Sequence, residues 1–258
     1  GIWTSPFDWP VMSLHSVLLP NEKILTYGSL AIKEFDRSKD IRENKEITLS
    51  SGLKLMRDNG FIQYKEHNVN GGVDFAIWDP KDSVEYENFQ IINKPILLDA
   101  FCSIARGVSE DLVFLLGGSF LLGGDPKEPQ PIGYDTQNAT TLFNPENNEF
   151  TPGEKLKYKR WYGSLVRLAD DRFIMVGGKD VVETIPSIIP EILEKDEYGN
   201  WKWRSLPGAA STEMFGEELS DEWSYPKSFL SSDGNVFGIS YNKLWSLNPD
   251  GDGSIKKV

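Results

Sequence analysis

The fold follows from two stretches of similar pattern, DAFCSIARGVSEDLVFLLGG at residues 99–118 and KRWYGSLVRLADDRFIMVGG at residues 159–178. Each contains an apolar strand, a polar turn, and a second apolar strand that ends in two glycines. Cys102 and Tyr162 occupy matching positions, at the start of the first strand. Equivalent strands of neighbouring repeats converge in a β-propeller, so these two side chains are expected to meet near the central axis.

The same unit occurs four times along the chain. After the paired strands, each copy has a variable loop and further strands, and three copies carry an Asp-Pro or Asn-Pro turn, at residues 79–80, 144–145 and 248–249. Period-two strands joined by short turns form antiparallel blades. The sequence therefore predicts an all-β, kelch-type β-propeller region over residues 1–258, with blades at approximately 10–98, 99–158, 159–208 and 222–258.

Three insertions interrupt the repeats, at residues 31–72, 119–138 and 209–221. The first is charged and polar and the second is rich in glycine and proline, so both are predicted to be surface loops. The third overlaps a short helix predicted within residues 213–223. The Gly-Gly strand ends have a structural explanation, because small residues allow neighbouring blades to approach closely.

Composition excludes several classes of function. A formal charge of −12 and a pI near 4.7 argue against nucleic acid as a partner, because phosphate binding requires a dense basic face. No run approaches the ~20 apolar residues of a membrane span, and the first residues lack the pattern of a signal peptide. A single cysteine excludes an internal disulfide and a thiolate-cluster metal site. Cys102 is therefore either an inert buried thiol or a chemically special one.

A family resemblance rests on residues in three of the four blades. Phe101-Cys102 before a strand ending in Gly-Gly, the Arg160-Trp161-Tyr162 run one blade later, the segment 204–207 and the Asp-Gly turn before Val236-Phe237 together resemble the copper radical oxidases, glyoxal oxidase and galactose oxidase. The Arg-Trp-Tyr run favours the glyoxal oxidase branch. The resemblance extends from about Trp9 to Asn248. Members of this family have about seven blades, so the four blades here resemble the front half of their propeller.

The resemblance implies a specific chemistry. In the family, a copper-ligating tyrosine is joined through a ring carbon to a cysteine sulfur, and Tyr162 and Cys102 occupy those positions. They are the expected catalytic and cofactor-binding residues, with Tyr162 as the copper ligand. The radical and copper together take two electrons from an alcohol, an aldehyde or a carbohydrate, and dioxygen becomes hydrogen peroxide. The resemblance also implies a secreted, extracellular protein.

The chain departs from the family pattern in its other copper ligands. The family also uses a Tyr-His pair and a further histidine from later blades, whereas this sequence contains His15 and His67 only. Both are expected to be structural or solvated. The rest of the site would come from further blades, on downstream sequence or on another chain, and this chain alone is expected to bind copper weakly or not at all. Lys179-Asp180 follows the third-blade glycines, where galactose oxidase has tryptophan.

A non-catalytic interpretation stands beside the enzymatic one. A free cysteine is often a small buried apolar residue, and a lone tyrosine is often a core aromatic. The chain would then be an extracellular propeller module that binds glycans or proteins, or that belongs to a structural assembly. The matching strand positions of Cys102 and Tyr162 favour the linked pair.

A calcium site is a further hypothesis. Asn248, Asp250 and Asp252 alternate in NPDGDGSI, with glycine at the sixth position, as at the opening of a calcium-binding loop. The glutamate expected at the twelfth position is missing. A tight hairpin turn between outer strands explains the same residues.

Overall fold

The repeated unit forms four antiparallel sheets of four strands each. The computed structural model describes residues 9, 12–29, 47–48, 54–58, 61–64, 75–82, 88–92, 102–118, 137–180, 183–216 and 221–258. Almost all regular structure in these residues is β-strand. The prediction of an all-β, propeller-like fold is therefore confirmed.

The strands are numbered in chain order. Blade 1 consists of β1 (Met12–Leu18), β2 (Ile24–Ser29), β6 (Phe75–Trp78) and β7 (Phe89–Ile92), while β3 (Ile47–Thr48), β4 (Lys54–Asp58) and β5 (Phe61–Tyr64) form a separate sheet. Blade 2 consists of β8 (Ile104–Ser109), β9 (Leu112–Leu116), β10 (Thr140–Asn144) and β11 (Glu149–Pro152). Blade 3 consists of β12 (Trp161–Arg167), β13 (Phe173–Lys179), β14 (Glu191–Lys195) and β15 (Trp201–Ser205). Blade 4 consists of β16 (Lys227–Leu230), β17 (Val236–Ser240), β18 (Lys243–Asn248) and β19 (Ser254–Lys257).

The first strand of each blade is the innermost one. Contacts join β1 to β8, β8 to β12, and β12 to β16, so that the four blades follow one another in an arc. Across the residues that the structure describes, the four sheets do not close into a ring. The four sheets agree with the number of blades that the sequence predicts.

The Asx-Pro turns have a common local cause. The side-chain oxygen of Asp79 accepts a hydrogen bond from the backbone N–H two residues later at 3.0 Å, and Asn144 and Asn248 each do the same at 2.8 Å. Such Asx turns reverse the chain and give a backbone N–H a hydrogen-bond partner. The proline that directly follows the Asp or Asn supplies the fixed φ that the turn needs. The spacing of these turns therefore sets the ends of β6, β10 and β18.

Each pair of neighbouring blades shares an apolar core. The residues between blades 1 and 2 include Leu25, Phe75, Val113 and Phe143; those between blades 2 and 3 include Phe114, Leu116, Phe173 and Met175; those between blades 3 and 4 include Val176, Ile192, Trp245 and Leu247. Burial of each such side chain contributes about 1.5–3 kcal/mol. Because the cores lie between blades, each blade depends on its neighbour for stability.

The glycines at the strand ends make room for the next blade. Gly117 has a φ of 66°, and a β-carbon there would lie 2.4 Å from the carbonyl oxygen of Arg160. Gly177 has a φ of 64°, and a β-carbon there would lie 2.6 Å from the Pro226 ring. A side chain at either position would therefore strain the backbone and clash with the following blade.

One predicted loop and the predicted helix differ from the observed structure. The insertion at 31–72 contains β3 to β5, because period-two segments such as 54–58 and 61–64 pair with each other as a hairpin. The predicted helix near residue 213 is the short α1 (Thr212–Phe215), capped by Ser211 and ended by Gly216 with a φ of 91°. Among the described residues, no helix has the length and apolarity needed to cross a membrane. Residues 119–136 lie outside the described part of the chain.

Blade 4 carries exposed apolar side chains on one face. One face packs on blade 3 through Trp245 and Leu247. On the opposite face Phe229, Leu244 and Val258 are 59 %, 40 % and 65 % exposed. Contiguous apolar side chains on an open sheet face are typical of surfaces that another element covers.

Candidate functional site

Three consecutive blades begin with a residue in the left-handed backbone region. The φ angles are 60° at Cys102, 63° at Tyr162 and 43° at Tyr225. The Tyr162 amide donates to the Cys102 carbonyl at 3.4 Å, and the Tyr225 amide donates to the Tyr162 carbonyl at 2.7 Å. Residues with a β-carbon are strained in this region, and such strain clusters at functional sites. The repeated geometry brings the three residues together where the innermost strands begin.

The Cys102 sulfur contacts two phenols. It lies within hydrogen-bonding reach of the Tyr162 hydroxyl and of the Tyr225 hydroxyl. Cys102 is 7 % exposed, and both tyrosines are half-buried. The two phenol rings stack with centroids 4.8 Å apart and an interplanar angle of 25°. The structure therefore brings together the two residues that the repeat pattern singles out, and it adds Tyr225.

Two tryptophans and a lysine extend the aromatic cluster. The Trp161 ring stacks on Tyr162 at a centroid distance of 3.9 Å, and Trp223 lies 5.9 Å from Trp161. The Lys179 ammonium lies 4.1 Å from the Trp223 centroid, an attraction of about 0.5–2 kcal/mol. The buried indole N–H of Trp161 has no hydrogen-bond partner in the described part of the chain. A buried donor without a partner is uncommon in folded proteins.

Blade 1 contributes another buried phenol, that of Tyr27. Its hydroxyl accepts a hydrogen bond from Ser103 Oγ at 3.2 Å. The His15 ring stacks on Tyr27 with centroids 5.0 Å apart, and burial lowers the pKa of His15. This stack gives His15 a packing role, in agreement with the expectation from sequence. His67 lies outside the described residues.

Arg160 holds the segment that carries Tyr162. Its fully buried guanidinium donates to the Glu191 carboxylate from Nε at 3.1 Å and from Nη2 at 2.8 Å. Nη1 donates to the Gly177 carbonyl at 2.8 Å, and Nη2 donates to the Ile189 carbonyl at 2.5 Å. These acceptors satisfy a charge that would otherwise be costly to bury. Arg160 thereby ties the backbone that precedes Tyr162 to β13 and β14.

The tyrosines of the cluster resist ionisation. Burial, followed by the hydrogen bond and the negative charge of Cys102, raises the pKa of Tyr162 to about 12. Burial also raises the pKa of Tyr225 and of Tyr27 above the ordinary value of 10.0. The folded state thus favours the neutral phenols. Their contribution to stability is fully present below pH 10 and is lost as the pH rises through the folded pKa values.

Phenolate absorbance measured against pH tests this assignment. Part of the signal of the folded chain should appear only near pH 12, whereas the denatured chain should titrate in one step near pH 10. Tyr162→Phe should remove part of the late step. The free energy of unfolding should also decrease above pH 10. Coincident titrations of the folded and denatured chain would contradict the assignment.

The residues of the calcium hypothesis form a hairpin turn between β18 and β19. Asn248 Oδ1 accepts from the Asp250 amide at 2.8 Å, and the Gly253 amide donates to the Asp250 carbonyl at 2.9 Å. The Asp250 carboxylate lies 3.4 Å from Arg172, and the Asp252 carbonyl accepts from another backbone amide. Among the described residues, no three Asp, Glu, His or Cys side chains are grouped as metal ligands would be. These contacts are those of the tight hairpin turn, which is the alternative to a calcium-binding loop.

Tyr225 is a member of the cluster that the repeat pattern did not identify as a site residue. A spacing signal was present, because Cys102 and Tyr162 each stand fifteen residues before the first glycine of a Gly-Gly pair. Tyr225 stands fifteen residues before Ser240, which takes the place of that glycine in blade 4. The loss of the glycine conceals the equivalence.

The fold is similar to that of a fungal alcohol oxidase of the AA5 family, described as having catalytic diversity within that family and solved in complex with copper. The sequence identity is 16 % and the TM-score is 0.60. The match covers 100 % of this chain and 43 % of the oxidase, so the chain spans less than half of that protein's length. The fold class that the blades define is thus a β-propeller-like arrangement shared with a copper oxidase.

A second solved structure, that of YjhT, is 12 % identical to the chain with a TM-score of 0.52. That match covers 90 % of this chain and 58 % of YjhT. No protein-family profile matches the chain, and no curated protein matches it. The similarity is therefore one of fold, and it is detected from the structure rather than from the sequence.

Proposed function

We propose that this chain carries the tyrosine–cysteine half of a copper radical oxidase site, in which a thioether joins Cys102 to Tyr162. The observation that carries the proposal is that Cys102 and Tyr162 lie side by side, because the Tyr162 amide donates to the Cys102 carbonyl at 3.4 Å and the buried Cys102 side chain is hydrogen-bonded to the Tyr162 hydroxyl. The ring carbon beside that hydroxyl is the one that the thioether uses. Strained backbone at both residues supports a functional role over ordinary packing of a cysteine against an aromatic ring.

Thioether formation is a two-electron oxidation. The S–H bond of Cys102 and one C–H bond of the Tyr162 ring break, and one S–C bond forms. Two electrons and two protons pass to dioxygen, which leaves as hydrogen peroxide. Oxidation of the substrate has the same balance, since an alcohol loses one O–H and one C–H hydrogen to become an aldehyde. The sulfur substituent donates electron density to the ring, so Tyr162 becomes easier to oxidise.

The residues present fit one side of a copper site. The Tyr162 phenol oxygen is a donor that Cu(II) accepts, and bound copper would supply single-electron transfer between this residue and dioxygen. The Cys102 sulfur is used in the thioether, and the His15 ring is stacked on Tyr27. The chain alone is therefore expected to bind Cu(II) weakly.

The aromatic neighbours of Tyr162 have defined tasks in this proposal. Trp161 covers one face of the Tyr162 ring at 3.9 Å and excludes water from it. Its indole N–H has no hydrogen-bond partner among the described residues, and the proposal assigns it as a donor to a substrate oxygen. The Lys179 ammonium, held over Trp223 and Trp161, adds a positive charge beside the cluster.

Further propeller blades complete the site in this proposal, on continuing sequence or on another polypeptide. The exposed apolar face of blade 4, with Phe229 and Leu244, supports such a neighbour. The chain also covers only 43 % of the fungal alcohol oxidase. A kelch-type blade, an extracellular location and a small alcohol, aldehyde or carbohydrate as substrate follow from the family resemblance. Calcium is left out, because the Asn248 turn is closed by its own hydrogen bonds.

Exposure of the reduced chain to excess Cu(II) and dioxygen tests the proposal. The intact mass should decrease by two hydrogens, and Cys102 should become resistant to alkylation even after treatment with a disulfide reductant. Peptide mapping should link the Cys102 peptide to the peptide that contains Tyr162. An anaerobic sample should keep the free thiol, because no electron acceptor is present.

Two variants provide the controls. Tyr241 is 75 % exposed, so Tyr241→Phe should leave the reaction unchanged. Tyr162→Phe should give no linkage to position 162. A wild-type chain whose Cys102 stays fully alkylatable in Cu(II) and dioxygen would overturn the oxidase proposal and would favour a non-catalytic binding module.

A further inference from the structure

Tyr225 makes the same backbone contact with Tyr162 that Tyr162 makes with Cys102. Its amide donates to the Tyr162 carbonyl at 2.7 Å, and its φ of 43° is also in the left-handed region. Pro226 and the Trp223 carbonyl occupy the space beside Gly177, so the backbone on either side of Tyr225 is seated against blade 3. The Tyr225 phenol is therefore a fixed part of the cluster.

The Cys102 side chain interacts with both phenols. The Tyr162 and Tyr225 rings stack with centroids 4.8 Å apart, and the sulfur is within hydrogen-bonding reach of both hydroxyls. The Tyr27 phenol is engaged differently, because its hydroxyl accepts from Ser103 Oγ at 3.2 Å. The geometry thus offers one thiol two reaction partners.

We infer that Tyr225 is a second site of thioether modification on this chain, an alternative partner for Cys102. The inference deepens the proposed function and shares its chemistry. The Cys102 S–H bond and a Tyr225 ring C–H bond break, and an S–C bond forms. The two electrons and two protons pass to dioxygen in the presence of Cu(II), or to two equivalents of a one-electron oxidant and to solvent.

The sequence makes the two products separable. Trypsin cuts after Arg160 and Arg167 and after Arg204 and Lys227, so Tyr162 lies in peptide 161–167 and Tyr225 lies in peptide 205–227. A Cys102 peptide linked to one or to the other therefore differs in mass and in fragment ions.

The experiment compares wild type, Tyr162→Phe, Tyr225→Phe, the double variant and the exposed control Tyr241→Phe. One arm uses Cu(II) and dioxygen. The other uses a photo-oxidised ruthenium polypyridyl complex, a one-electron oxidant that does not depend on copper binding. Near-ultraviolet circular dichroism checks that each variant keeps its aromatic packing.

Tyr162→Phe should still lose two hydrogens, with the Cys102 peptide linked to peptide 205–227. Tyr225→Phe should link only to peptide 161–167, and the double variant should keep an alkylatable thiol. If wild type reacts only in the ruthenium arm while Tyr162→Phe links to Tyr225, the inference holds and the copper-based function does not. A folded Tyr162→Phe chain that keeps its Cys102 thiol in both arms overturns the inference, whatever wild type does.

Discussion

Replacement of Arg160 by methionine is expected to lower the free energy of unfolding by about 3–5 kcal/mol. The substitution leaves the Glu191 carboxylate fully buried without its guanidinium partner. It also removes the donors to the Gly177 and Ile189 carbonyls. A buried charge without compensation costs far more than the hydrogen bonds alone. Urea denaturation at neutral pH measures the change.

Two controls separate the buried charge from the general loss of an arginine. Arg167 forms an ion pair with Asp171 in which the side chains are 39 % and 73 % exposed, so Arg167→Met should change stability by less than about 1 kcal/mol. The double variant Arg160→Met with Glu191→Leu should regain much of the loss, because no unpaired charge remains. A loss in Arg160→Met as small as that in Arg167→Met would show that Glu191 finds another partner.

The second large effect is expected at Gly177, where alanine should destabilise the chain by about 2–5 kcal/mol. The β-carbon would lie 2.6 Å and 2.7 Å from the Pro226 ring and 2.7 Å from the Trp223 carbonyl oxygen. The φ of 64° adds a backbone cost for any residue with a β-carbon. Because the clash falls on both sides of Tyr225, blade 4 must move away from the cluster.

Gly199 offers a matched control for the backbone term. It has a φ of 83°, but no atom lies within 4 Å of the added β-carbon. Gly199→Ala should therefore cost only the conformational part, about 1–2 kcal/mol. The difference between the two variants, measured by denaturant unfolding, is the steric part. Equal decreases in the free energy of unfolding of the two variants would mean that blade 4 does not clash with a β-carbon at position 177.

The blades were predictable because their determinants are local. Strand alternation, the Asx-Pro turns at Asp79, Asn144 and Asn248, and the Gly-Gly ends all act within a few residues of one another. The strands of the insertion were not predicted, since a charged segment with weak alternation depends on pairing with its own hairpin partner. The register of the sheet formed by β3, β4 and β5 likewise depends on how these strands pair with one another.

The candidate site was predictable in part for the same reason. Equivalent positions in a repeat converge once the repeat is recognised, so Cys102 and Tyr162 could be expected side by side. Tyr225 could not be assigned in the same way, because a tyrosine before a strand is common. Fifteen residues after it stands Ser240, where the other two blades have the first glycine of the Gly-Gly pair. The partners of Arg160 were also hidden, since Glu191 lies two strands away within blade 3.

The sequence by itself determined the four-blade repeat, the turns between its strands and the shared position of one cysteine and one tyrosine. The tertiary structure alone decided that the Cys102 side chain interacts with two phenols, because that contact depends on how three successive blades pack against one another. It also decided that Phe229, Leu244 and Val258 are exposed on one face of blade 4. Short-range propensities act along the chain, whereas the convergence of side chains at an axis depends on how whole sheets pack.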